Sequence, residues 1–205
     1  MATTDEFTLY YTPGACSLSP HIALREADLT FQLVRVDLKT KSADWLAINP
    51  KGYVPALRLP GGPVLTEGAV LVQYIADQRP DARLLPAAGT LERYRQQEWL
   101  HFIATELHKG MGPLYSSLAN ADYKTYVRER LGHRLGTIAV ALRDKPFLNG
   151  DRFGVTDGYA FYVLRTWLHV CKQDLAPWPE LLDYYQRMSA RPAVAAALEV
   201  EGIQA

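Results

Sequence analysis

Cys16 is the residue best placed to do chemistry. It stands in the run Tyr10-Tyr11-Thr12-Pro13-Gly14-Ala15-Cys16-Ser17-Leu18-Ser19-Pro20. Residues 7–11 before it read as an aromatic-rich strand, and 18–27 after it read as a helix. A thiol at such a handover meets unpaired backbone N–H groups and the positive end of the helix dipole, and both favour the thiolate. The dipole supplies ~0.3–1 kcal/mol, or about 2 in good geometry, against ~1.4 for one pKa unit. A helix start therefore accounts for about one unit, and stronger activation needs a second partner such as a histidine. The alternative is a buried, inert cysteine. The Pro13-Gly14 turn argues instead for a loop end in contact with water.

A histidine is available in the stretch 92–118. At helical spacing, Leu100, Ile103, Leu107, Met111 and Leu114 make an apolar stripe, with His101, Thr105, His108 and Gly112 as a polar stripe beside it. His101 and His108 do not have the spacing of a His-Glu-x-x-His zinc site. A polar stripe in an apolar segment suits the wall of a cleft, which singles out His108. His21, His133 and His169 read as surface or satisfied core residues.

Three further groups invite a functional reading beside a structural one. Val54-Pro55 precedes a strand, where proline is often an edge feature. A cis bond there, beside the thiol, would offer Val54 backbone groups to an extended thiol peptide. Thr66-Glu67-Gly68 suits a helix cap, or a site where N–H groups take a carboxylate while Glu67 takes an ammonium. Lys41 and Lys51 flank a short helix and could meet a substrate carboxylate or simply be solvated. Phe153-Gly154-Val155-Thr156-Asp157 reads as a helix start, with Asp157 structural.

The elements that must position these groups divide the chain of 205 residues in two. Residues 1–82 run β-α-β-α-β-β-α, with strands at 7–11, 31–36, 56–59 and 64–65, the last two around the tight turn Pro60-Gly61-Gly62-Pro63. Residues 83–90 read as a linker, and 91–205 as an all-helical bundle with helices at 92–118, 123–142, 156–170, 180–189 and 192–200. Twenty-two basic residues balance 22 acidic ones, which gives no footprint for nucleic acid and no polybasic membrane patch. The first residues lack the basic and apolar regions of a signal peptide, and two distant cysteines suggest no disulfide framework. The expectation is a cytoplasmic protein.

Five blocks carry a resemblance: residues 11–21, Ile-Asn-Pro-Lys-Gly-Tyr-Val-Pro at 48–55, Leu-Thr-Glu-Gly at 65–68, Glu-Leu-His-Lys at 106–109 and Glu-Gly-Ile at 201–203. Over residues 9–203 the chain resembles a cytosolic glutathione transferase of the bacterial beta class. The resemblance implies a thioredoxin-like N-terminal domain that binds glutathione, an all-α C-terminal domain with a hydrophobic-substrate pocket, and a homodimer without metal. It implies that Cys16 faces the glutathione sulfur and can form a mixed disulfide with it, and that His108 lies near that sulfur. Val54 and Pro55 would bind the cysteinyl backbone, Glu67 and Gly68 the γ-glutamyl end, and Lys41 the glycine end. Thr105 and Glu106 would help hold glutathione, partly across the dimer. Tyr11, Tyr115 and Trp167 would line the electrophile pocket.

His101 stands where relatives often carry asparagine, and Gly154 replaces the usual Ser or Thr of a capping box. Ser17 is an alternative hydrogen-bond donor to the glutathione thiolate. The expected activity is conjugation of reduced glutathione to small hydrophobic electrophiles. The alternatives are a glutaredoxin-like monothiol disulfide reductase and a non-catalytic carrier of hydrophobic ligands.

Overall fold

The computed structural model describes residues 6–205, which form two compact units: residues up to Leu84 together with Pro192–Ala205, and Leu85–Arg191. In the first unit, strands β1 (Phe7–Tyr11), β2 (Phe31–Arg35), β3 (Ala56–Arg58) and β4 (Val64–Thr66) form one sheet in the order β2-β1-β3-β4. β1 runs parallel to β2, with Leu9 opposite Leu33, and antiparallel to β3, with Leu9 opposite Leu57. A parallel pair needs a crossover, and helix α1 (Leu18–Glu26) supplies it. The β3–β4 hairpin closes through Leu59 and Pro63, and the left-handed backbone of Gly61 and Gly62 makes so short a turn possible. Helices α2 (Ala43–Ile48) and α3 (Gly68–Gln78) complete the α/β arrangement that the alternation of elements predicts, which is the thioredoxin-like one that the resemblance implies.

Tyr10, Val36, Trp45, Val54 and Ala56 form a core cluster around the second helix, while Leu18, Ile22, Leu71 and Ile75 are fully buried residues of α1 and α3. Thus both the strand bearing the Cys16 loop and the segment bearing Val54 are anchored by packing. Helix α9 (Pro192–Glu201) also belongs to this unit, although the sequence groups it with the helices of 91–205. It packs on α1, with Val194 and Ala197 wholly buried.

The second unit is helical: α4 (Leu91–Phe102), α5 (Gly112–Tyr115), α6 (Ala121–Leu142), α7 (Val155–Arg165) and α8 (Pro179–Ser189). The stretch read as one helix over 92–118 changes geometry three times. It runs from α4 into a π-helical segment Ile103–His108, then a 3-10 turn Lys109–Met111, then the one-turn α5. The backbone stays helical to Tyr115, with Pro113 at the start of α5, where a missing donor is tolerated, and Leu100, Ile103, Leu107 and Met111 of the apolar stripe are fully buried. A wider π turn also changes the angle between His101 and His108 from that of a regular helix. The stretch 156–170 behaves likewise, α7 giving way to a π segment Thr166–Val170.

Asp157 holds the start of α7, as its place in the sequence predicts. Its carboxylate accepts from the backbone N–H groups of Leu148 at 2.7 Å and Gly154 at 2.8 Å, and from the Tyr184 hydroxyl at 2.9 Å. Burial nevertheless pushes its pKa up to about 6. The glycine at the cap has a steric reason. A Cβ on Gly154 would lie 2.9 Å from Cβ of Asn149.

Candidate functional site

In the sheet unit the chemistry gathers on loops at the ends of β1 and β3. After β1 the chain turns through Ala15 N–H to Thr12 O at 3.0 Å and Leu18 N–H to Ala15 O at 3.0 Å. Cys16 is therefore half-buried, just ahead of the helix. The Leu18 and Ser19 amides are already bonded to the carbonyls of Ala15 and Cys16, so the helix start has fewer unpaired N–H groups for a thiolate than the sequence suggests. The Cys16 Sγ donates to the Val54 carbonyl at 3.3 Å, and Val54–Pro55 is a cis peptide. Tertiary folding thus brings Cys16, Val54 and Pro55 together.

Ser17, the alternative thiolate donor, is engaged with Thr12. It is fully buried, accepting from Thr12 N–H at 3.2 Å and donating to Thr12 O at 3.3 Å, so its hydroxyl closes the loop on itself. The loop has a second tether from far along the chain, because Gly14 N–H donates to Oε2 of Glu201 at 2.9 Å. The other oxygen of Glu201 lies 2.9 Å from Nδ1 of buried His21, whose Nε2 accepts from Arg25 Nε at 3.0 Å. Because Nε2 is an acceptor, the proton of a neutral His21 ring sits on Nδ1 and points at Glu201. His21 is thus a satisfied core histidine, as expected.

The second loop is built by Asn49, a buried residue at the end of α2. Its side chain accepts from Lys51 N–H at 3.2 Å and donates to Tyr53 O at 2.7 Å, fixing the turn between them. Lys51 Nζ and the Tyr53 hydroxyl then both donate to Oε1 of Glu67, at 2.9 and 2.8 Å, and Lys51 Nζ also reaches Thr66 Oγ1 at 2.9 Å. Hydrogen bonding to Glu67 raises the pKa values of both the Lys51 ammonium and the Tyr53 phenol. Glu67 occupies the N-cap of α3 with φ of +73°, yet its side chain makes no cap bond. An L-residue held in that region is a strained position of the kind that functional sites keep. Gly68 follows as the first residue of α3. Lys41 is exposed and lies over the same turn, its Nζ 3.7 Å from where a Cβ on Gly52 would project. Tyr11, partly buried, has its ring 6.4 Å from that of His21.

In the helical unit His108 sits between two phenols. Its Nδ1 is 2.9 Å from the Tyr159 hydroxyl and its Nε2 3.2 Å from that of Tyr162, with both rings edge-on to the imidazole. Burial, with Lys109 adding a smaller repulsion, pushes its pKa down to about 4. The ring is neutral at physiological pH, so it is a hydrogen-bonding group and not the cation that thiol activation by charge would require. Thr105 donates to His101 O at 2.9 Å, and Glu106 accepts from Arg134 Nε at 3.1 Å. Tyr115 is exposed, whereas Trp167 is buried with its indole N–H donated to Asp174 O at 2.8 Å. Among the described residues no cluster of three or more His, Cys, Asp or Glu side chains could hold a metal ion, and no helix is long and apolar enough to cross a membrane.

Sequence reasoning missed Asn49, Tyr53, Tyr159, Tyr162 and the role of Glu201. Asn49 and Tyr53 lie inside the 48–55 block and Glu201 opens the 201–203 block, so the signal was present without its physical meaning.

Comparison with known proteins gives a consistent set of likenesses. Residues 14–78 match the family model described as "Glutathione S-transferase, N-terminal domain", and residues 106–201 match "Glutathione S-transferase, C-terminal domain". The chain is 45% identical over 200 residues to Glutathione S-transferase GstA of Escherichia coli O157:H7, covering 96% of this chain and 99% of that one. A bacterial beta-class glutathione S-transferase of Sphingomonas chungbukensis superposes with a TM-score of 0.90 at 42% identity, covering 96% of this chain and 100% of the other. A sphingomonad glutathione S-transferase solved with glutathione gives a TM-score of 0.90 at 39% identity, again covering 96% and 100%.

Proposed function

The chain belongs to the glutathione S-transferase family, and we propose that Cys16, Val54, Pro55, Glu67, Gly68 and Lys41 receive glutathione along the segments that follow β1, precede α2 and β3, and follow β4. The observation that carries this reading is the Cys16 Sγ, 3.3 Å from the Val54 carbonyl beside the cis peptide. A bound cysteinyl residue pairing with the Val54 backbone would bring its sulfur to that thiol. Glu67 takes the γ-glutamyl ammonium, Gly68 offers its backbone to the same end, and Lys41 meets the glycine carboxylate. Thr105 and Glu106 contribute to holding glutathione.

The reaction is attack of the glutathione thiolate on a small hydrophobic electrophile. A carbon–sulfur bond forms, the leaving group departs with the bond's electron pair, and the thiol proton passes to solvent. His108 takes part as a neutral hydrogen-bonding group, and Tyr11, Tyr115 and Trp167 shape the contact with the electrophile. Steady-state conjugation of a chloronitrobenzene tests this, with Cys16→Ala and His108→Ala beside the parent. Turnover that requires glutathione and falls in His108→Ala is expected. A parent enzyme with no glutathione-dependent turnover overturns the reading.

A second activity is supported by Cys16, a residue in no disulfide and only half-buried. Its thiol gives a proton to solvent, and the thiolate attacks one sulfur of oxidised glutathione. A Cys16–glutathione disulfide forms as the old S–S bond breaks, and the glutathione thiolate that leaves takes a proton from solvent. Burial pushes the Cys171 thiol up to about 11, which makes it a poor resolving partner. Intact-mass measurement should show a glutathionyl adduct that a reductant removes and Cys16→Ala lacks. The outward residues Leu91 and Tyr94 of α4, 64% and 57% exposed, support a homodimer. Sedimentation velocity of the parent and Leu91→Glu tests it. A reducing cytoplasm suits two cysteines that both remain thiols.

A further inference from the structure

We propose that Lys51 is a specificity-determining residue for glutathione: it occupies the ammonium position on Glu67 before binding, then exchanges to the ligand's α-carboxylate. This rests on the reading that Glu67 receives the γ-glutamyl end. The argument begins with a shared atom. Lys51 Nζ donates to Oε1 of Glu67 at 2.9 Å, and the Tyr53 hydroxyl donates to the same oxygen at 2.8 Å. An incoming α-ammonium seeks that carboxylate and competes with a cation already there.

The exchange is feasible because the internal pair is wet, with Lys51 and Glu67 side chains 48% and 54% exposed. A solvated ion pair is readily traded for another. Its geometry is nonetheless fixed. Buried Asn49 holds the backbone of Lys51 and Tyr53 on either side of the turn, and Glu67 is set by the backbone at φ of +73°. Lys51 therefore cannot withdraw far once displaced, and only its side chain moves. An ammonium arriving alone would face Lys51 as a like charge. An α-amino acid terminus brings a carboxylate on the same carbon, and that carboxylate supplies Lys51 with a new partner. The loop so selects a zwitterionic end over an amine or an acid alone. Thr66 Oγ1, which accepts from Lys51 Nζ at 2.9 Å, remains as a second anchor for the lysine during the exchange.

The test is calorimetric titration of the full-length protein, unmodified and as Lys51→Met and Glu67→Gln, with two ligands. These are glutathione and its analogue lacking the α-carboxylate, 4-aminobutyryl-Cys-Gly. Lys51→Met is expected to weaken glutathione about fivefold, the scale of an exposed ion pair, and to leave the analogue unchanged or bound more tightly. Lys51→Arg should restore most of the glutathione affinity. Equal weakening of both ligands by Lys51→Met, or tighter glutathione binding, overturns the exchange. Glu67→Gln separates the two ideas. If it leaves glutathione affinity unaltered, the assignment of Glu67 itself is wrong; if it weakens binding while Lys51→Met does nothing, only the exchange fails.

Discussion

Gly14 and Glu201 are 187 residues apart in sequence, yet the Gly14 N–H donates to the Glu201 carboxylate at 2.9 Å. This bond ties the loop that carries Cys16 to the last helix, and the other oxygen of the same carboxylate takes up buried His21. The chain end therefore helps set the position of the thiol.

Glu201→Ala should be strongly destabilising, because it leaves a buried imidazole and a backbone donor without an acceptor. Each buried group left without its hydrogen-bond partner costs about 1–3 kcal/mol. Denaturant unfolding with an unchanged m-value would register it. Among variants that remain folded, Glu201→Gln should show slower glutathionylation of Cys16, since the loop loses its charged anchor.

Asp157 should make stability fall as pH rises through the mildly acid range. Its folded pKa, about 6, lies above the ordinary value of 3.8, so the folded chain binds the extra proton between them. That contribution is complete below about pH 4 and lost as pH passes 6, a change of order 2–3 kcal/mol. The difference in unfolding free energy between the parent and Asp157→Asn, measured from pH 4 to 7, should carry this slope. Asp157→Ala should destabilise at every pH in the range, by about 1–3 kcal/mol, because three donors lose their acceptor.

His108 should not titrate between pH 5.5 and 8. Its folded pKa of about 4 lies below the ordinary 6.5, so the stability it contributes is present above 6.5 and lost as pH falls towards 4. Heteronuclear NMR of the labelled imidazole checks this directly. One nitrogen should report a proton and the other an acceptor throughout, and Tyr159→Phe should disturb the balance of tautomers.

Gly154→Ala should cost about 1–3 kcal/mol, the scale of overpacking, since its new Cβ meets Asn149 at 2.9 Å. Adding Asn149→Ala should not restore stability, because the Cβ of residue 149 remains; Asn149→Gly should recover part of the loss. Thermal unfolding of the single and double variants separates these outcomes.

Local patterns in the chain were sufficient for the strand, turn and helix order of residues 7–78, for the Asp157 cap and for Cys16 at a helix start. Each of these depends on neighbours within a few residues, through side-chain alternation, glycine and proline turns, or a carboxylate one turn from a cap. In 92–118 apolar spacing was enough for a helical segment that buries Leu100, Ile103, Leu107 and Met111, while its π and 3-10 turns depend on what the backbone can bond and pack against. For Ser17, its place beside Cys16 was visible in the sequence, but its hydrogen bonds with Thr12 were not.

Composition, local spacing and five short blocks were enough to read the family and to place Cys16 just ahead of a helix start. Folding alone decided the partners: Val54 for Cys16, Lys51 and Tyr53 for Glu67, two tyrosines for His108 and Glu201 for the Cys16 loop. These partnerships also set charge. Burial holds the His108 ring neutral, while the solvated pair of Lys51 with Glu67 raises the pKa of the Lys51 ammonium. The physical reason is that residue type states what a group can donate or accept, whereas its pKa and its partner depend on solvent exclusion and on atoms brought near from distant parts of the chain.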